Sequence, residues 1–168
     1  MDWRNYVDEK PHIIVRFITM DEIFSDAIRK ITGSLFSHVE YGTPDFTWIG
    51  SHDRGGVQER KFDYCNPTRE YVYAIPCEEV ILHAAVSWMR GSIGTPYNYR
   101  DIIGLLFQAR TLTNPHRLIC SQFVCEGLLN FFGPKRVLNV ELNWTYRISP
   151  ETLHLSPIFA GNLISRKG

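Results

Sequence analysis

Residue 120 is a cysteine at the head of an apolar run, Ile119-Cys120-Ser121-Gln122-Phe123-Val124-Cys125-Glu126-Gly127-Leu128-Leu129. The first turn of a helix favours negative charge, through its unpaired backbone N–H groups and the helix dipole. A thiol placed there is biased toward thiolate, the nucleophilic form. The plainer reading of Cys120 is a small buried hydrophobe, as most free cysteines are. Cys125 lies five residues on, ~140° round the helix, and is expected in the core.

A thiolate nucleophile needs a base, and histidine is the usual one. The chain has six: His12, His38, His52, His83, His116 and His154. His38 stands inside a β-rich run, Ser37-His38-Val39-Glu40, where a histidine without a role is a poor strand former. His52 falls in a loop and His83 on the polar side of a helix, so both are expected to face solvent. Side chains two apart on a strand share a face, which puts Glu40 beside His38. Glu40 can then orient the imidazole or stabilise its cation.

A hairpin turn over Gly42-Thr43-Pro44-Asp45 predicts Tyr41 opposite Phe46 and His38 opposite Ile49. Carrying that register forward sets Gln58 opposite Ser51 on the His38 face, which makes Ser51 and Gln58 alternative orienting groups. His52 faces away unless Gly50 forms a bulge.

These residues need elements to hold them. His12 to Ile18 reads as a first strand. Met20 to Ile31 reads as a helix, with apolar residues at helical spacing and Gly33 beyond it. The runs Phe36–Tyr41 and Phe46–Ile49 flank the Gly/Pro/Asp turn as a hairpin. Further strands follow at Val57–Phe62 and Glu70–Ile75, the last stopped by Pro76. Glu78 to Arg90 reads as a helix burying Val80, Ile81, Ala84, Ala85 and Trp88 on one stripe. Arg100–Ala109 and Leu118–Phe132 read as two more, the latter ended by Gly133-Pro134. Ser149-Pro150 supplies an N-cap and an N1 proline for a short helix through His154. Strands first and helices later make the class α+β, with a small antiparallel sheet packed against helices.

Three separated pieces carry a resemblance. Ser37-His38-Val39, Gly94-Thr95-Pro96-Tyr97-Asn98-Tyr99 and Cys120-Ser121-Gln122-Phe123-Val124 resemble, in order and spacing, the circularly permuted branch of the NlpC/P60 papain-like superfamily, the YiiX-like cysteine amidases and peptidases. The resemblance implies a permuted papain-like domain over residues 1–168, Cys120 as nucleophile and His38 as general base. It also implies that Tyr97 lies near the site, where its hydroxyl would help bind substrate or the oxyanion; an aromatic packed under a loop is the competing reading. The family usually carries a polar or acidic group on the strand after the histidine strand, whereas Phe46-Thr47-Trp48-Ile49-Gly50-Ser51 has no acid, and Glu40 is the replacement carboxylate. Gln122 and Asn98 stand where the family commonly has Glu and Asp. Each change removes a charge and tunes the site differently.

The implied chemistry is amide hydrolysis through a thioester, on peptidoglycan-type peptides or small acyl-amides. Lipid acyl transfer or thioester hydrolysis by the same pair, as in lecithin:retinol acyltransferase relatives, is the alternative. A binding or assembly protein of weak activity on the same fold is a third reading.

The 168 residues suit one domain. With 18 Lys+Arg against 18 Asp+Glu the net charge is 0, which gives no global drive toward nucleic acid or anionic membrane. No basic stripe supports a nucleic-acid partner, and no apolar run approaches the ~20 residues of a membrane span. No pair of the four cysteines has CxxC spacing, so no metal and no cofactor is expected. No signal-like segment stands at Met1 to Lys10, so a reducing cytoplasmic compartment with free thiols is expected, unless delivery is by another route such as a phage.

Overall fold

The computed structural model describes residues 10–20, 26, 29–30, 33–98, 118–138 and 148–168. Strands β1 (His12–Thr19), β2 (His38–Gly42), β3 (Thr47–His52), β4 (Gly56–Lys61) and β5 (Arg69–Pro76) come first. Helices α1 (Glu79–Gly91), α2 (Cys120–Phe132), α3 (Pro134–Val137) and α4 (Pro150–His154) follow, then a 3-10 turn (Pro157–Phe159) and strand β6 (Leu163–Lys167). One antiparallel sheet has the order β4-β3-β2-β1-β5-β6. The α+β class holds.

Alternation along β1 and β2 divides the molecule into two layers. Ile13, Val15, Phe17, Val39 and Tyr41 point into the larger core with Phe123, Val124, Cys125 and Leu128 of α2. Tyr41 reaches across and donates its hydroxyl to the Val124 carbonyl at 2.5 Å. Helix α2 comes this close because residue 127 is glycine: a Cβ there would run into the Tyr41 hydroxyl and lie 2.7 Å from the Trp88 ring. On the other face Ile14, Trp48, Val72 and Ala74 form a smaller cluster flanked by Phe62 and Tyr64. That face also carries Arg16 and Glu40, which are register partners on β1 and β2.

Several local expectations are corrected. The hairpin pairs Tyr41 with Ile49 and Gly42 with Trp48, not Tyr41 with Phe46. Thr43 N and Thr47 O close the turn at 2.9 Å, and Phe46 takes the strained φ of 56°. The turn thus centres on Asp45, further along the chain than a Gly42-to-Asp45 turn would. The slip is an odd number of residues, which exchanges the faces of β3 relative to β2. On α1, Ile81, Ala85 and Trp88 face the core as expected, joined by Leu82 and Met89, while Val80, 66% exposed, and Ala84 do not. Helix α2 begins at Cys120 itself, with Leu118 and Ile119 extended before it. Pro134 starts the short α3. The predicted α4 forms as read, with Ser149 Oγ accepting from Thr152 N at 3.1 Å. Strand β6 was not anticipated. The helix expected over 20–31 lies largely outside the described residues, and that over 100–109 wholly so.

Candidate active site

Cys120 is the first residue of α2. Ile119 precedes it in extended conformation, φ −88° and ψ 164°, and no side chain caps the helix. First-turn N–H groups are therefore not taken by a cap, and no acidic residue lies in that turn to oppose a thiolate. The approach to Cys120 is pinned from several sides. Leu118 forms an isolated parallel bridge with Tyr97; its N–H donates to the Pro96 carbonyl at 3.1 Å and its carbonyl accepts from Asn98 N at 3.3 Å. Ser51 of β3 also donates to that carbonyl, Oγ to O at 2.6 Å. On the helix side, Ser121 Oγ donates to the Ile148 carbonyl.

His38 opens β2, close enough to Cys120 for the thiol to be the largest influence raising its imidazole. Burial alone pushes this imidazole down. Cys120 first, and then the Glu40 carboxylate, outweigh burial and hold the ring up at about 9. Glu40 is fully buried. Its Oε2 lies 3.5 Å from His38 Nε2 and 3.9 Å from His52 Nε2. Burial would raise the carboxyl, but the Arg16 charge above all, with both histidines, brings it to about 2. Arg16 donates to Glu40 Oε1 from Nε at 2.8 Å and also from Nη2. Its guanidinium lies 3.9 Å over the Trp48 ring, and Tyr64 donates its hydroxyl to both Glu40 oxygens at 3.2 and 3.0 Å. The carboxylate is thus fixed before it meets the imidazoles.

His52 faces inward. Its ring lies 4.6 Å from that of His38, tilted 32°. Burial, and next the His38 charge, drive it down to about 3, against the pull of Glu40. The expectation of a solvent-facing His52 fails because of the register slip. His38, Glu40 and His52 are the group among the described residues whose histidine and carboxylate atoms, all within 4.8 Å of one another, could hold a cation.

Of the residues read from sequence, Cys120, His38 and Glu40 come together, and Tyr97 is tied by backbone to the strand leading into Cys120. Ser51 and Gln58 are corrected. Ser51 pairs with Val57, not Gln58, and serves Leu118. Gln58 pairs with Gly50 and donates to the Arg54 carbonyl. Sequence reading missed Arg16, Tyr64, His52 and Gly50. Arg16 had a signal: a lone cation inside His12-Ile13-Ile14-Val15-Arg16-Phe17-Ile18-Thr19 must find an acid if that strand is central.

No known family profile matches the chain, and no curated protein does. Among solved structures it is similar to that of the metalloprotein YiiX from Escherichia coli O157:H7, at 12% identity over 95% of this chain and 98% of that one, with a TM-score of 0.66. At that identity the likeness is one of fold, and the chain has a YiiX-like α+β fold.

Proposed function

We propose that the chain is one permuted papain-like domain and a cysteine-dependent hydrolase of amide bonds. The coupling of Cys120 at a helix N-terminus to His38, itself backed by Glu40, carries this reading. Cys120 Sγ attacks the substrate carbonyl, and first-turn N–H groups receive the oxyanion. His38, as imidazolium, protonates the leaving amine as the C–N bond breaks and a thioester remains. The neutral ring then takes a proton from water, which attacks the thioester and releases the acid and the thiolate. Arg16 and Tyr64 hold Glu40 so that it keeps the imidazolium oriented. Tyr97 lines the substrate side. Peptidoglycan-type peptides and small acyl-amides are the substrate classes. With a net charge of 0, recognition falls to the shape of the cleft.

The YiiX protein is described as a metalloprotein. In this chain two buried imidazole nitrogens without hydrogen-bond partners, His38 Nε2 and His52 Nε2, lie beside a carboxylate, so the residues fit a divalent cation, which would supply a Lewis acid there.

Incubation with muropeptides and N-acyl amides, read by mass spectrometry, tests the hydrolase. Turnover that is lost in Cys120→Ala and His38→Ala is expected, with iodoacetamide labelling Cys120 at neutral pH. No turnover together with no labelling of Cys120 sinks it.

A further inference from the structure

We propose that His38 Nε2, Glu40 Oε2 and His52 Nε2 form a binding site for one divalent transition-metal ion of the zinc kind, and that its occupancy and the base role of His38 exclude each other. The second half rests on the hydrolase reading above; the first does not.

The donor set is two imidazoles and one carboxylate, nitrogen and oxygen ligands of the borderline type that zinc takes, with a further coordination position left open. Buried polar atoms are nearly always paired, yet both Nε2 atoms are buried and neither has a hydrogen-bond partner. Each is aimed at the same carboxylate oxygen, at 3.5 and 3.9 Å. Metal–ligand bonds of ~2.1 Å place neighbouring donors of a tetrahedron ~3.4 Å apart. The His38–Glu40 separation already meets that. The rest of the set lies within 4.8 Å, so closure on an ion needs only small side-chain rotations.

The surroundings are those of a positioned ligand. Glu40 Oε1 is held by Arg16, and the Tyr64 hydroxyl bridges both oxygens, so the carboxylate is fixed with Oε2 toward the imidazoles. Such outer contacts orient metal ligands. Gly50 keeps the floor of the site open: a Cβ there would lie 3.1 Å from His38 Nε2 and 3.4 Å from Glu40 Oε2. The guanidinium of Arg16 offsets the carboxylate charge, so the imidazoles carry most of the affinity. The sequence expectation of no metal rested on cysteine spacing. This set contains no cysteine and is assembled by the β2–β3 register.

His38 has two ring nitrogens. When Nε2 gives its lone pair to a cation, the ring's proton resides on Nδ1. No lone pair is then left to accept a proton from Cys120 or from water, and the thiol is left without its base.

Metal-free protein, titrated with Zn²⁺ against a chromophoric chelator, is expected to bind one equivalent. His52→Ala, which removes a side chain whose Nε2 makes no hydrogen bond, is expected to weaken binding roughly 100-fold or more, beyond the loss of an outer contact. Cys120→Ala is expected to bind as tightly as the native chain. Co²⁺ in place of Zn²⁺ is expected to give ligand-field bands without a thiolate charge-transfer band. No stoichiometric binding, equal affinity in His52→Ala, or loss of binding in Cys120→Ala each overturns the site. Zn²⁺ is further expected to slow alkylation of Cys120 by iodoacetamide at least tenfold. Bound zinc with unslowed alkylation overturns the exclusion and leaves the site standing. A Cys120 that resists alkylation even without metal counts against the hydrolase, not against the metal site.

Discussion

Gly50 of β3 lies directly under Glu40 of β2: a Cβ at residue 50 would stand 2.8 Å from the Glu40 Cβ. The buried carboxylate and the two imidazoles occupy a space that exists only because the facing strand has no side chain at that point. A glycine inside a strand costs conformational entropy and packing, and here that cost is offset by room for a polar cluster on an otherwise closed sheet face.

Gly50→Ala is therefore expected to destabilise the protein by about 1–3 kcal/mol, the usual range for overpacking a closed site. It is also expected to displace His38 and so depress alkylation of Cys120. Urea denaturation and the iodoacetamide rate check the two effects. Native stability in this variant would mean that the β2–β3 spacing is looser than the structure gives.

Arg16 and Glu40 are almost wholly buried, and Arg16 also pairs with Glu70 Oε1 at 3.0 Å. Arg16→Met leaves a carboxylate in the interior without its main partner, which is expected to cost ~3–5 kcal/mol. Removing both charges in Arg16→Met/Glu40→Leu is expected to recover a large part of that, since a buried ion pair exchanged for apolar side chains is often close to neutral. Chemical denaturation of the two single variants and the double variant closes the cycle. The double variant recovers stability and not reactivity, because Glu40 is gone from behind His38.

Stability should vary with pH in two opposed ways. Glu40 and His52 protonate in the unfolded chain near their ordinary values of 4.5 and 6.5, but in the fold only at about 2 and about 3. The unfolded state binds more protons over that span, so their contributions are full above the unfolded values and are lost as pH falls from about 6.5 toward 2. His38 runs the other way. Its folded value of about 9 lies above 6.5, so its contribution is full below 6.5 and is lost as pH rises toward 9. Metal-free protein is expected to be most stable near pH 6.5. Cys120→Ala should flatten the alkaline decline, because Cys120 is the largest influence holding His38 up. Urea midpoints from pH 4 to 9.5 check this, and a native chain whose stability climbs steadily to pH 9 contradicts it.

The parts of the site legible in the sequence were those fixed by local spacing. The positions of Cys120 before an apolar helical run, and of Glu40 two residues from His38 on a strand, follow from the 3.6 and 2.0 periodicities; the roles of nucleophile and base are what the family resemblance implies. What was not legible depended on register. The choice between pairing Tyr41 with Phe46 or with Ile49 lies in the turn, and it hinges on Phe46 adopting a positive φ that its side chain does not advertise. That one slip carried His52 into the site and Ser51 out of it, while Gln58, still on the His38 face opposite Gly50, is taken up by the Arg54 carbonyl. Arg16 and Tyr64 lie 24 residues either side of Glu40, and only the central position of β1 in the sheet order brings the arginine onto the carboxylate.

Ser51 gives a direct test of that register. An orienting partner of His38 would set the imidazole's titration; a clamp on Leu118 would set only how firmly the approach to Cys120 is held. The structure gives the clamp, with Ser51 Oγ on the Leu118 carbonyl at 2.6 Å and fully buried. Ser51→Ala removes one neutral hydrogen bond to a carbonyl that keeps a second donor, Asn98 N. The expected cost is about 1 kcal/mol. The alkylation rate of Cys120 is expected to fall modestly at every pH, while the midpoint of its pH profile stays where the native chain has it. His38→Ala should abolish the midpoint set by the imidazole. A midpoint shifted by half a unit or more in Ser51→Ala would return Ser51 to the His38 face and contradict the β2–β3 pairing described above.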